Sequence, residues 1–191
     1  MTQTAKPRVV RSLVIGSVIA IGLGIVLFVG LGSNSGSSPS GPVGIGSVAP
    51  GFSLPSLTGG APVDLQALGE KSHHPVVLNF FASWCIPCQT ETPLLARSAA
   101  AERAEGSAVR FIGVDVNDAP ASALPFVRKA GITYPIGMDR TFNVTSGRYG
   151  LYGLPQTFYI DANGKVIGHK IGAVTAPELA GWLRRLTPTG R

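Results

Sequence analysis

Cysteine is scarce: Cys85 and Cys88 are the only two in the 191-residue chain. That excludes a small scaffold stapled by several disulfides. With no second C-x-x-C pair and only three histidines, the common tetrahedral zinc patterns lack their ligands. His73, His74 and His169 therefore read as solvent-exposed polar residues, and no metal is expected. Haem attachment is excluded because Gln89, not histidine, follows Cys88. Charge is sparse as well, at 14% of residues, with 10 acidic against 16 basic side chains. The net charge of +6 does not point to nucleic acid, because no basic stripe interleaved with aromatics occurs. Three of those charges, Lys6, Arg8 and Arg11, precede the one long apolar run, which leaves +3 for the remainder.

Residues 13–32 carry no charge at all and consist of Leu, Val, Ile, Ala, Gly, Ser and Phe. The run matches the roughly 20 residues that span a bilayer. A cleaved signal peptide and a buried core helix are the alternatives. The run is long for a signal h-region, no A-x-A site follows it, and no cysteine follows it to carry a lipid. An uncleaved N-terminal transmembrane helix is expected. The basic residues ahead of it put residues 1–12 in the cytoplasm and everything after the anchor outside, as a single-pass membrane protein. Residues 33–45, rich in Ser and Gly, read as a flexible linker. Residues 46–187 are long enough for one domain with a real core, followed by a tail at 188–191. No internal repeat is visible.

Within that domain the two cysteines stand in Trp84-Cys85-Ile86-Pro87-Cys88. Before them, residues 76–81 (Val-Val-Leu-Asn-Phe-Phe) form a β-branched and aromatic run of buried-strand length. After them, Pro87 marks a first helical turn and an alanine-rich pattern runs toward Gly106, with Pro93 expected to bend the helix. Cysteines three apart on the first turn of a helix can close and reopen a disulfide. A structural bridge closing so short a loop would constrain the unfolded chain little, which favours redox chemistry. An unperturbed thiol with pKa about 8.5 is only about 3% thiolate at pH 7, and lowering it to about 7 takes roughly 2 kcal/mol. The helix dipole supplies about 0.3 to 1 of that. N–H to sulfur hydrogen bonds and the Cys88 thiol must add the rest, with Cys85 partly exposed and Cys88 shielded behind it.

Further along, residues 109–114 read as a strand, 124–130 and 142–149 as helices, and 157–160 and 166–171 as a hairpin around Asp161-Ala162-Asn163-Gly164. Residues 177–186 read as a terminal helix with Trp182 and Leu183 on its apolar side. Strands alternating with helices and ending in a hairpin predict an α/β domain with a central mixed sheet covered by helices on both faces. Asp115, Asn117 and Asp118, which follow the strand at 109–114, read as helix caps or solvent-facing residues.

Trp84-Cys85-Ile86-Pro87-Cys88 followed by Pro93 resembles the thioredoxin signature. Residues 153–161, beginning Gly153-Leu154-Pro155, resemble its later cis-proline segment. The opening Gly46-Ser47-Val48-Ala49-Pro50-Gly51-Phe52 and the glutamate three positions past Cys88, Glu91, narrow the resemblance to the membrane-anchored TlpA/ResA group of thiol-disulfide oxidoreductases, within the redoxin superfamily. A peroxiredoxin would need threonine or serine where Ala82 stands. The resemblance covers residues 46–187 and implies a thioredoxin-like fold with no organic cofactor. It implies that Cys85 attacks and Cys88 resolves, that Glu91 handles protons, and that Trp84 offers apolar surface to a partner. It also implies a cis Leu154–Pro155 bond exposing the Leu154 backbone to an extended substrate chain. Partners would be proteins bearing disulfides or thiols, and a membrane protein that passes electrons. The implied activity is reduction of protein disulfides outside the membrane, in some members for cytochrome c maturation. The alternatives are an oxidase that donates its disulfide to secreted proteins and a non-catalytic adaptor that binds peptide in the Leu154–Pro155 groove.

Overall fold

The computed structural model describes residues 43–187. The expected cytoplasmic segment 1–12, transmembrane anchor 13–32, linker as far as residue 42, and tail 188–191 lie outside the described residues. Among those described, no helix is long and apolar enough to cross a membrane.

The elements follow in the order β1 (Ser53–Leu54), β2 (Val63–Asp64), α1 (Leu65–Leu68), a 3-10 turn at Glu70–Ser72, β3 (Val76–Phe81), α2 (Ile86–Ala104), β4 (Arg110–Val116), α3 (Pro120–Ala130), β5 (Ile136–Asp139), a π-helical turn at Asn143–Arg148, β6 (Gln156–Ile160), β7 (Val166–Ile171) and α4 (Ala176–Leu186). Five strands form one sheet in the order β5-β4-β3-β6-β7, and β1 and β2 form a separate short hairpin. β4 runs parallel to both β3 and β5, whereas β6 is antiparallel to β3 and to β7. The sheet is thus mixed, as expected.

β3 is central, and all six of its residues are buried. A strand covered on both faces needs apolar side chains at every position rather than at alternate ones, which is why it reads as a continuous run. Its side chains still divide by period two. Val76, Leu78 and Phe80 join one cluster with Tyr149 and Phe158, and Val77 and Phe81 join another with Leu95, Val127 and Tyr159. Side chains of the three long helices α2, α3 and α4 all enter the second cluster. The other face is covered by Phe52, Leu54, Val63 and Leu65 from the N-terminal part and by Val144 and Tyr149 of the π-helical region. The helical cover expected on both faces is therefore uneven.

The β6–β7 turn forms because Asp161 Oδ1 accepts from the amides of Asn163 and Lys165 at 2.9 Å each, while Gly164 takes a φ of +78°. On β7, Gly168 leaves room for α4: a Cβ there would lie 2.3 Å from the Trp182 ring. That ring stacks on Tyr159 at 4.6 Å between centroids. β4 extends two residues beyond the expected strand, and α3 starts at Pro120 rather than at 124. The region expected as a short helix at 142–149 is a π-helical turn. β1, β2, α1 and β5 are elements that the sequence pattern does not announce.

Candidate active site

β3 ends at Phe81, and three residues later the chain enters α2 with Cys85 as its N-cap. Ala82 O accepts from the Cys85 amide at 3.2 Å, which tightens the turn. Cys85 and Cys88 are joined by a disulfide, with Cα atoms 5.2 Å apart. The Cys88 amide, one of the donors that a helix N-terminus leaves without a partner, donates to Cys85 Sγ at 3.2 Å. A hydrogen bond to a charged acceptor contributes about 1.5 to 3 kcal/mol, enough to close the gap that the dipole leaves when that sulfur becomes a thiolate.

Cys88 is fully buried, as expected, but Cys85 is only 5% exposed, not partly open. In the disulfide form Cys85 belongs to the same apolar cluster as Cys88, and Leu154 packs against that cluster. The exposed surface beside it belongs to Trp84, at 57%, and Ile86, at 75%. Trp84 is thus not a core aromatic; its indole N–H reaches toward the Asn117 carbonyl at 3.4 Å.

The Leu154–Pro155 bond is cis. A cleft of about 610 Å³ runs between Cys85 and Leu154, walled by Trp84, Pro87, Phe142 and Tyr152. Among the described residues, no hydrogen bond engages the Leu154 amide or carbonyl, whereas the Pro155 carbonyl is taken by the Gly172 amide at 3.0 Å.

Glu91 is 2% exposed, so it is not a solvated first-turn residue. Oε1 accepts from Asn79 Nδ2 at 2.8 Å, and Oε2 accepts from the Val174 amide at 2.7 Å. Burial pushes its carboxyl above the ordinary range, against the pull of those two bonds and of the Lys170 charge. Asn79 was visible in the sequence as a lone polar residue inside an apolar strand, which is the signal of a buried hydrogen bond.

The acids near residue 117 contradict their expected role. Asp115 lies inside β4 and is 1% exposed, Asp118 is 7% exposed, and neither caps α3, whose N-cap is Ala119. β4 runs through Val116, so Asp115 falls within a strand buried on both faces instead of beyond its end. Asp118 Oδ2 accepts from the Ser83 amide at 2.7 Å. Asn117 is exposed and takes a φ of +46°, as a tight turn requires.

The histidines play other parts. His169 is half-buried rather than solvent-exposed, stacks on Phe158 at 4.0 Å and bonds Gln156 Oε1 at 2.8 Å. His74 Nε2 meets the Arg110 guanidinium at 3.1 Å. Among the described residues, no group of three or more His, Cys, Asp or Glu is placed to hold a metal ion.

Comparison with known proteins agrees with this geometry. Residues 45–169 match the model of the AhpC/TSA family. The thiol-disulfide oxidoreductase ResA of Bacillus thuringiensis (strain Al Hakam) is 33% identical over 144 residues, which is 75% of this chain and 79% of that protein. A secreted disulfide oxidoreductase of Mycobacterium tuberculosis, homologous to E. coli DsbE, superposes with a TM-score of 0.60 at 28% identity, over 71% of this chain and 96% of that one. A DsbF homologue from Corynebacterium diphtheriae gives 0.63 at 27% identity, over 78% and 96%.

Proposed function

The chain belongs to the AhpC/TSA family as a thioredoxin-like thiol-disulfide oxidoreductase of the ResA kind, and from that premise we propose that it reduces protein disulfides outside the cytoplasmic membrane, tethered by residues 13–32. The observation that carries this reading is Cys85 at the N-cap of α2, its sulfur accepting the Cys88 amide and opening onto the apolar cleft at Leu154.

In the reductive direction the Cys85 thiolate attacks one sulfur of a substrate disulfide, a mixed disulfide forms, and the substrate's other sulfur leaves as a thiolate. Cys88 then attacks Cys85 Sγ, releases the second substrate thiolate and leaves the Cys85–Cys88 disulfide. An electron pair has passed to the substrate, so a donor must re-reduce the bridge; a membrane protein carrying electrons across the bilayer is the partner that fits a tethered domain. The unengaged Leu154 backbone pairs with an extended substrate segment, and Trp84 supplies apolar contact. Glu91, buried on the same helix three residues past Cys88, takes the Cys88 proton as that thiol attacks. The substrates include apocytochromes c.

Cys85→Ser should abolish insulin-disulfide reduction by the full-length protein, and Cys88→Ser should accumulate mixed disulfides through Cys85. Equal activity of wild type and Cys85→Ser would overturn the reading. A reduction potential near about −270 mV supports the reductive direction, whereas one near about −120 mV would make the protein an oxidant. A membrane-impermeant thiol reagent should label Cys85 in intact, reduced cells; labelling only after lysis would refute the topology.

A further inference from the structure

The segment leading into Cys85 is held from below by the turn between β4 and α3. Asp118 Oδ2 takes the Ser83 amide at 2.7 Å, and the Asn117 carbonyl faces the Trp84 indole N–H at 3.4 Å. The same segment is held from α2, where Gln89 Nε2 donates to the Ser83 carbonyl at 2.8 Å. Beneath Asp118 lies Asp115, paired in register with Phe81 of β3, the last strand residue before this segment.

Asp115 is the unusual member. It is 1% exposed, yet neither of its carboxylate oxygens has a donor. Its neighbour within hydrogen-bonding reach is the Asp118 carboxylate. Two carboxylates cannot bond each other unless one carries a proton, and an uncompensated buried charge costs several kcal/mol. The surroundings offer no counter-charge. From β3 the neighbours on this face are Asn79 and Phe81, and from β5 the register partner is Met138, while Asp139 turns Oδ2 to Thr145. From α2 the nearby acid, Glu91, is engaged by Asn79 and Val174. From α3, Lys129 shares a cleft with Ser83 but makes no ion pair with either aspartate.

We propose that Asp115 and Asp118 share one proton, and that this proton seats the dithiol segment: Asp115 donates to Asp118, and Asp118 keeps its negative charge on the Ser83 amide. Asp115 is thereby a positioning residue that acts on Cys85 through Asp118 and Ser83. The proposal rests on the reading of Cys85 as the reacting atom, but its structural part stands apart from that reading. Burial first, then the Asp118 charge and the bond to it, push the Asp115 carboxyl up to about 7. Above that pH a second charge arrives with no cation to meet it. The two carboxylates repel, and Asp118 loses its geometry toward Ser83.

The test uses the full-length protein, purified in detergent and reduced. The ¹³C carboxyl resonance of Asp115 should titrate near neutrality, and the Ser83 amide resonance should move with the same midpoint. The rate of Cys85 alkylation by iodoacetamide, corrected for thiolate content, should fall through that same range. In Asp115→Asn, which keeps a donor toward Asp118 and cannot ionise, the Ser83 resonance should stay in place to pH 8 and the fall should vanish. In Asp115→Leu, which cannot donate, the Ser83 resonance should be displaced at every pH. An Asp115 carboxyl titrating below pH 5, or a Ser83 resonance indifferent to it, overturns the proposal; both are read on wild type and need no variant to fold. Retained activity in Cys85→Ser would sink the dithiol reading while leaving this titration intact.

Discussion

Glu91 and Asp115 are both at most 2% exposed and both border the segment that carries the cysteines, yet they are buried in opposite ways. Glu91 is gripped by two donors, Asn79 Nδ2 and the Val174 amide, one for each oxygen. Asp115 has no donor and faces another acid. Burial pushes both carboxyls upward, but only around Glu91 does the protein supply bonds that favour the ion. Depth alone therefore does not assign a chemical role to a buried carboxylate. The donors aimed at it decide how much of the cost of the ion is offset: two bonds offset it at Glu91, the carboxylate proposed to take the Cys88 proton, and none do at Asp115.

The largest expected effect separates the two acids by pH. Asp115 has a folded-state pKa of about 7 against an ordinary 3.8. A carboxyl whose pKa is raised on folding contributes stability below its unfolded value and loses it as pH rises through the folded one. Between pH 4 and pH 8, wild type should therefore lose about 4 kcal/mol relative to Asp115→Asn. Urea denaturation of both proteins across that range checks it, and parallel curves would erase the contrast with Glu91.

A somewhat smaller effect probes the gripped acid. Glu91→Ala leaves two buried N–H groups without an acceptor and should cost about 3 kcal/mol at pH 7. Glu91→Gln keeps the shape but turns an NH₂ toward one of the two donors, and should cost about 1 to 2 kcal/mol. The same Gln variant should lower the apparent pKa of Cys88 in the reduced protein, since a nearby carboxylate disfavours a second negative charge. Unchanged thiol titration would reduce Glu91 to a structural bracket.

How these two acids looked in the sequence differs in the same way. The dithiol, β3, α2 and the β6–β7 hairpin were legible because apolar runs, Pro87 and the Asp161-to-Gly164 turn are strong local signals. Glu91 can be singled out from its spacing to Cys88, whereas Asn79, a polar residue inside an apolar run, is passed over when 76–81 is read only as a buried strand. Asp115 reads from the sequence as a helix cap or a solvent-facing residue because it comes at the end of such a run, where an acid ordinarily marks the strand's exit. Its burial depends on β4 continuing to Val116 between β3 and β5, and β5 was itself illegible. Ile136–Asp139 has four residues with Gly137 in the middle, a pattern too short and interrupted to announce a strand. Cys85 was expected to be more open because the packing of Leu154 against its cluster comes from a segment nearly 70 residues away.

The smallest expected effect concerns Lys170, whose charge lowers the Glu91 carboxyl and which pairs with Glu178 at 2.7 Å. Both partners of that pair are about a third exposed, so Lys170→Ala should change stability by about 0.5 kcal/mol or less. It should nevertheless move the Glu91 carboxyl further upward, an effect readable by ¹³C NMR, while leaving Asp115 where it is. A shift of both acids would mean that they sense a common field instead of local partners.

The hold of the β4–α3 turn on the segment before Cys85 also bears on where this molecule can change length. Surface connections ordinarily accept an inserted or deleted residue at little cost. Here Phe81 is aligned with Asp115, and two and three residues beyond them, respectively, Ser83 meets Asp118. The two connections are thus gauged against each other like matched links: adding one residue to either would carry its polar group past its mate on the other. In this pair the lengths are tied by contact as well as by connectivity. A graft of the dithiol segment into another scaffold would have to bring the 115–118 turn with it.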